Sequence, residues 1–192
     1  MPLVSLSLAE IDAELERRRN GQAFAEQAEE WAGSLRLFME ASWSVVVPRA
    51  PFVGGFHIDA ICEHLEAVSG GEIHRLAICV PPGMTKSTIT SICWPAWEWA
   101  TKPHRRFITA SYVQRLATRL AVKSRDLIRS PWYQARWGDA FGMKVDEDLK
   151  TEFANDKGGR RLAIGVGTGT GEHGDVITSR HFPANRPARP SS

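Results

Sequence analysis

The chain has 192 residues, of which 43% are hydrophobic and 24% charged, enough apolar side chains for a core and too many for wholesale disorder. Its 24 basic and 22 acidic residues leave a net charge of +2, so any nucleic-acid contact has to come from a local patch. No signal peptide opens the chain and no apolar run approaches the roughly 20 residues that span a bilayer, which predicts a soluble cytoplasmic protein with no membrane partner.

The first forty residues read as helical. Ser7 and Glu10 form an S-x-x-E capping box, and Asn20-Gly21 reads as a stop before a second helix with Phe24, Ala28, Trp31, Leu35 and Phe38 at helical spacing. Residues 1–42 are therefore read as an N-terminal helical extension. Composition then shifts. "SVVVPRAPFVGGFH" is an apolar run broken by prolines and glycines, predicted as a short strand or extended loop. Ile58, Ile61, Leu65 and Val68 mark a helix that Ser69-Gly70-Gly71 ends.

"IHRLAICV" is a continuous apolar run of the kind buried on both faces of a parallel sheet. "KSTITSICWPAWEWATK" predicts a helix kinked or broken at Pro95. "RRFITAS" predicts a second buried strand, with Ser111 capping a helix that carries Val113, Leu116, Leu120 and Leu127. Strand, loop, helix, strand, helix is the order of a parallel α/β core. Two short strand-like runs around Asn155-Asp156-Lys157-Gly158-Gly159 then predict a hairpin laid against that core. Cys62, Cys79 and Cys93 lie far apart without metal-binding spacing and read as buried, reduced thiols.

"VPPGMTKST", residues 80–88, joins the apolar run to the next helix. A phosphate loop needs a tight turn after a strand, inward backbone N–H groups, a Lys, and a Ser or Thr hydroxyl for Mg²⁺ at a helix start. Order and context fit. Against the G-x-x-x-x-G-K-[ST] template, however, Val80 and Thr85 stand where the two glycines belong, and only Gly83 is a glycine within the turn.

The stretch from "FHIDAICEHL" through "VPPGMTKST", the Trp-rich helix, "FITASY" and "SPWYQ", with "TEFAND-KGG-R" running into "GTGTGEHGD", resembles the large terminase subunit of tailed bacteriophages. That family is the ATP-driven motor and nuclease that packages viral DNA, and its Walker A loop is often Pro-Pro, a variable middle, then Lys-Ser. The resemblance spans residues 43–178.

It implies an α/β fold, an incomplete P-loop NTPase of the ASCE type, with a parallel sheet, flanking helices and the N-terminal helical extension. It also implies ATP and Mg²⁺ as cofactors, held by Pro82, Gly83, Met84, Thr85, Lys86 and Ser87. Backbone N–H groups from Gly83 to Thr85 would form the cradle, Lys86 would meet the phosphates and Ser87 the metal. The segment around His57 would lie near adenine, and "GTGTGE" near the γ-phosphate. The implied partners are double-stranded DNA and, for a full-length motor, the terminase small subunit and portal, with homo-oligomers formed by the complete protein.

Arg115, Arg119 and Lys123 form a basic stripe that reads either as a solvated face or as phosphate contacts to DNA. Trp94, Trp97 and Trp99 read as core packing ahead of base stacking. A motor ATPase also needs an apolar strand ending in acids. Here "DVI" is followed by "TSRHFPANRPARPSS", and no acid follows Asp175; Glu172 and Asp175 are the acids nearest the glycine run. The reading is that the frame departs from the family near residues 176–179, leaving 179–192 as a disordered Pro/Arg/Ser tail. Two functional classes follow. One is the N-terminal ATPase part of a packaging motor; the other is a non-catalytic remnant that binds nucleotide or a partner without turnover.

Overall fold

The computed structural model describes residues 8–165 and 171–180; Ser7 of the predicted capping box, most of the glycine run and the C-terminal tail lie outside them. The first helix, α1 (Leu8–Ala32), runs straight through Asn20-Gly21. An exposed Gly costs a helix about 1 kcal/mol, less than would be lost by leaving two helix ends uncapped. The break comes instead at Gly33-Ser34, where the Ser34 side chain accepts from the Leu37 N–H and caps α2 (Leu35–Val46). "SVV" is thus the last turn of a helix, not a strand. Next, α3 (Phe56–Gly70) ends on Gly71 at φ 85, the left-handed position that glycine takes without a steric penalty.

The segment 86–101 is helical throughout, as α4 (Lys86–Thr88), a π-helical turn Ile89–Cys93, and α5 (Trp94–Thr101). Pro95 sits at the start of α5, so the predicted irregularity falls just before it, as a register change instead of a break. This helix is the centre of the core. Trp94, Trp97 and Trp99 are all buried, and their indole N–H groups donate to Ser69 Oγ, the Trp31 carbonyl and the Arg105 carbonyl. Core packing is their role.

Five strands follow: β1 (Arg106–Ser111), β2 (Met143–Asp148), β3 (Glu152–Asn155), β4 (Arg160–Gly165) and β5 (Val176–Arg180). They form one sheet in the order β2-β3-β4-β1-β5. β4 and β5 flank β1 in parallel, while β3 is antiparallel to both β2 and β4. The fold is therefore mixed α/β, and the sheet is mixed, not wholly parallel. The Asn155–Gly159 turn does make a hairpin, but its strands lie within the sheet. Asn155 is the reason it is tight: its side-chain oxygen accepts from the Lys157 and Gly159 N–H groups while its amide donates to Pro103 O.

Between β1 and β2 lie α6 (Gln114–Arg129) and α7 (Pro131–Trp137). Ser111 ends β1 and is buried; the residue capping α6 is Val113, without a side-chain bond. The helix buries Ala117, Leu120, Ala121, Leu127 and Ile128. α1 is held to α7 by aromatic contact, with Trp31 stacked on Trp132 at 5.5 Å and the Arg136 guanidinium 4.7 Å from the Trp31 ring.

The largest departure from the sequence reading is "IHRLAICV". Residues 75–80 form no regular element and join no sheet, although their exposure alternates along the segment. Leu76, Ile78 and Val80 pack against the core half-buried, while Arg75, Ala77 and Cys79 are exposed. An apolar run supplies the side chains of a central strand, but a central strand also needs a ladder on both edges. Among the described residues none forms here. Cys79 is accordingly exposed, whereas Cys62 and Cys93 are buried free thiols.

Candidate phosphate-binding site

Residues 81–85 turn the chain from this segment into the helix. Gly83 has φ 87 and Thr85 has φ 58, the latter the only non-glycine residue with positive φ among the described residues. A β-branched residue in the left-handed region is a true outlier, costing about 1–2 kcal/mol. The sequence template puts a glycine at this position. Thr85 therefore adopts the backbone of the missing glycine without being one.

Its carbonyl closes the first helical turn, accepting from the Thr88 and Ile89 N–H groups at 2.9 and 3.1 Å. The N–H groups of residues 83–87 have no acceptor among the described residues. Those at 86 and 87 open a helical run of several turns, where partial positive charge accumulates. Pro82, Gly83 and Met84 are exposed, and Thr85, Lys86 and Ser87 half-buried, so the loop faces solvent on a partly buried base.

Lys86 folds back, its Nζ donating to Ile78 O at 3.3 Å. That partner is a neutral carbonyl at a long distance, and no carboxylate among the described residues pairs with the ammonium, so an anion can draw it away at little cost. The Ser87 hydroxyl has no partner among the described residues, while Thr90 Oγ1 bonds Lys86 O at 3.0 Å. Free backbone donors, a Lys and a hydroxyl fit a phosphate group. A divalent metal fits less fully: no cluster of three or more His, Cys, Asp or Glu occurs among the described residues. Mg²⁺ here would rest on Ser87, phosphate oxygens and water.

The acids lie elsewhere. α5 runs into β1 through a short connection of residues 102–105. Asp175 accepts from the Arg106 N–H at 2.8 Å, at the end where β1 starts. Glu172 pairs with Arg160, the first residue of β4, at 2.8 Å. Both carboxylates are thus ion-pair partners of the first residues of β1 and β4. Burial raises the Asp175 carboxyl, but the Arg106 N–H and the nearby guanidinium charges outweigh it and hold the group below the usual range.

The remaining candidates are more scattered. His57 lies in the first turn of α3 with its ring edge-on to Phe56 at 5.9 Å. Arg115, Arg119 and Lys123 are exposed along α6, and none forms an ion pair among the described residues. Residues 166–170 of the glycine run lie outside the described residues. Sequence reading missed the left-handed Thr85; a glycine-requiring template position is the signal that could have exposed it.

By its fold the chain is a mixed α/β protein carrying a strained turn at the head of a long helix. No protein-family model matches it, and no curated protein or solved structure does so. No helix among the described residues is long and apolar enough to cross a membrane.

Proposed function

We propose that residues 82–87 are a phosphate-binding loop for Mg-ATP, in a chain that is the nucleotide-binding part of a terminase-type DNA-packaging motor. The observation that carries the loop reading is Thr85. A strained left-handed backbone is kept where the phosphate-loop template places glycine, beside N–H groups left without acceptors at a helix start. Lys86 supplies the charge for the β- and γ-phosphates and Ser87 the hydroxyl for Mg²⁺. The resemblance of residues 43–178 to terminase large subunits extends this to the motor. On that reading double-stranded DNA, a small subunit and a portal are the wider partners, in a bacterial host's cytoplasm.

Within this proposal the chain holds nucleotide without turning it over. Glu172 and Asp175 are committed to Arg160 and Arg106. Neither of these two acids is therefore free to act as general base toward a bound γ-phosphate.

Titration with a fluorescent ATP analogue in Mg²⁺ tests both parts. Saturable binding is expected, weakened at least about tenfold, or 1.4 kcal/mol, by Lys86→Ala. Absence of binding at about 5 mM nucleotide sinks the loop reading, since that corresponds to only about 3 kcal/mol of affinity. Phosphate release above background that Lys86→Ala abolishes overturns the non-catalytic part.

A further inference from the structure

Between Ile73, whose N–H donates to Ala67 O, and Thr85, whose carbonyl closes the next helical turn, the chain is barely tethered. Residues 74–84 make no backbone–backbone hydrogen bond among the described residues. One polar contact holds this span, from Lys86 Nζ to Ile78 O at 3.3 Å. Leu76, Ile78 and Val80 rest on the core, each only half-buried.

Order here is closely balanced. Fixing one residue's backbone costs about as much as half-burying one aliphatic side chain returns, and only every second residue offers such a side chain. A ladder would make up the difference, but none forms here among the described residues. Pro81 and Pro82 have no N–H with which to tie the span down at its other end. In such a balance one hydrogen bond decides which state is populated. That bond comes from the lysine of the loop.

We propose that residues 74–80 are a strap released by phosphate. An anion in the loop takes the Lys86 ammonium from Ile78 O, and the strap lifts from the core. A charged phosphate oxygen is a stronger acceptor than a neutral carbonyl at this distance, so the exchange runs toward the anion. The inference rests on the phosphate-loop reading of residues 82–87 and adds a consequence of binding to it. The coupling is reciprocal: whatever holds the strap down weakens phosphate binding by the same factor.

Trypsin reads the strap directly. Arg75 is exposed at its start, and the rate of cutting there follows the population in which the surrounding chain has left the core. In the wild type, Mg-ATP or Mg-pyrophosphate is expected to speed cutting after Arg75 about three- to tenfold, the weight of one hydrogen bond. Cutting after Arg119 in α6 should not speed up, and adenosine, which has no phosphate, should change neither rate. Fragment masses identify each cut. Lys86→Met keeps the aliphatic stem and loses the ammonium. With its fold checked by circular dichroism, it is expected to be cut at the fast rate without ligand and to gain nothing from it.

Lys86→Met cut after Arg75 as slowly as the unliganded wild type overturns the proposal, since packing alone then holds the strap. So does nucleotide that binds by titration yet leaves that cut unchanged or slower, or adenosine that speeds it as much as ATP. Absence of nucleotide binding removes the loop reading and the trigger with it. Lys86→Met needs no ligand, so it tells that failure apart from a missing tether.

Discussion

Arg161 Nη2 donates to the carbonyl of Ser91 at 2.6 Å, the carbonyl four residues before Pro95, to which a proline has no N–H to donate. An α-helix would satisfy it from the N–H four residues on, but proline has none. The π turn Ile89–Cys93 precedes the proline, and the next carbonyl, that of Ile92, is met by Ser124 Oγ at 3.1 Å. The central helix is thus stitched to β4 and to α6 at the point where its own ladder fails. The stitch is costly. Arg161 is fully buried, burial pushes its guanidinium down to about 9, and its Nε and Nη1 have no hydrogen-bond partner among the described residues.

From this we expect Arg161→Ala to cost about 3 kcal/mol, through an orphaned carbonyl and a cavity beneath Phe107. Arg161→Met fills the space without a buried charge and should cost less, about 1 kcal/mol. Pro95→Ala restores an N–H that can reach Ser91. In urea unfolding, the loss from Arg161→Met should therefore shrink by about 1 kcal/mol in the Pro95→Ala background. Strict additivity in that cycle would show that the two residues do not share the carbonyl.

Thr85 holds φ 58 against the preference of a β-branched residue. Thr85→Gly should raise stability by about 1 kcal/mol, because glycine adopts this conformation without the clash, less the entropy it gains when unfolded. On the proposed function, nucleotide affinity should be unchanged or improved, since the loop would contribute its backbone. An unfolding midpoint that falls in Thr85→Gly would mean that the side chain is needed where it is.

Side-chain periodicity made much of the fold legible. α3 and its Gly71 cap, the β1 strand, the α6 face and the Asn155–Gly159 turn all follow from local chemistry. The misses have one physical source. "LAICV" has the side chains of a central strand, and whether it becomes one depends on neighbours that a local pattern cannot supply. Asn20-Gly21 reads as a stop, but a stop signal loses to helix formers on both sides. The turn ahead of Lys86 was legible by residue type and order, whereas its left-handed Thr85 is a backbone fact that side-chain identity conceals.

The cysteines give an inexpensive check of the burial pattern. Burial pushes the Cys62 and Cys93 thiols up to about 12, while Cys79 is exposed on the segment ahead of the loop. The thiolate is the reactive form. One thiol per chain should react with a disulfide reagent within minutes at pH 8, and the other two only at the rate of unfolding or in denaturant. Two fast thiols in the native protein would contradict the packing of α3 against the π turn.

Acid should loosen the joint between α6 and the β2 edge. Asp148 accepts from Arg125 Nη1 at 2.9 Å and also pairs with Arg129. Burial raises its carboxyl, but the Arg129 hydrogen bond and the two positive charges outweigh that and hold it below the usual range. A carboxyl whose folded pKa is depressed stabilises the fold above its unfolded pKa, about 3.9, and loses that contribution as pH falls through the folded value. Stability should therefore be flat from this group near neutrality and decline below about pH 4. Asp148→Asn should cost up to about 1 kcal/mol at pH 7, because the pair is only partly shielded from water. The variant and wild type should then converge toward pH 2–3 as the wild-type carboxylate is protonated. Denaturant midpoints across that range report the difference directly. A gap that stays constant with pH would assign the loss to packing and not to the charge on Asp148.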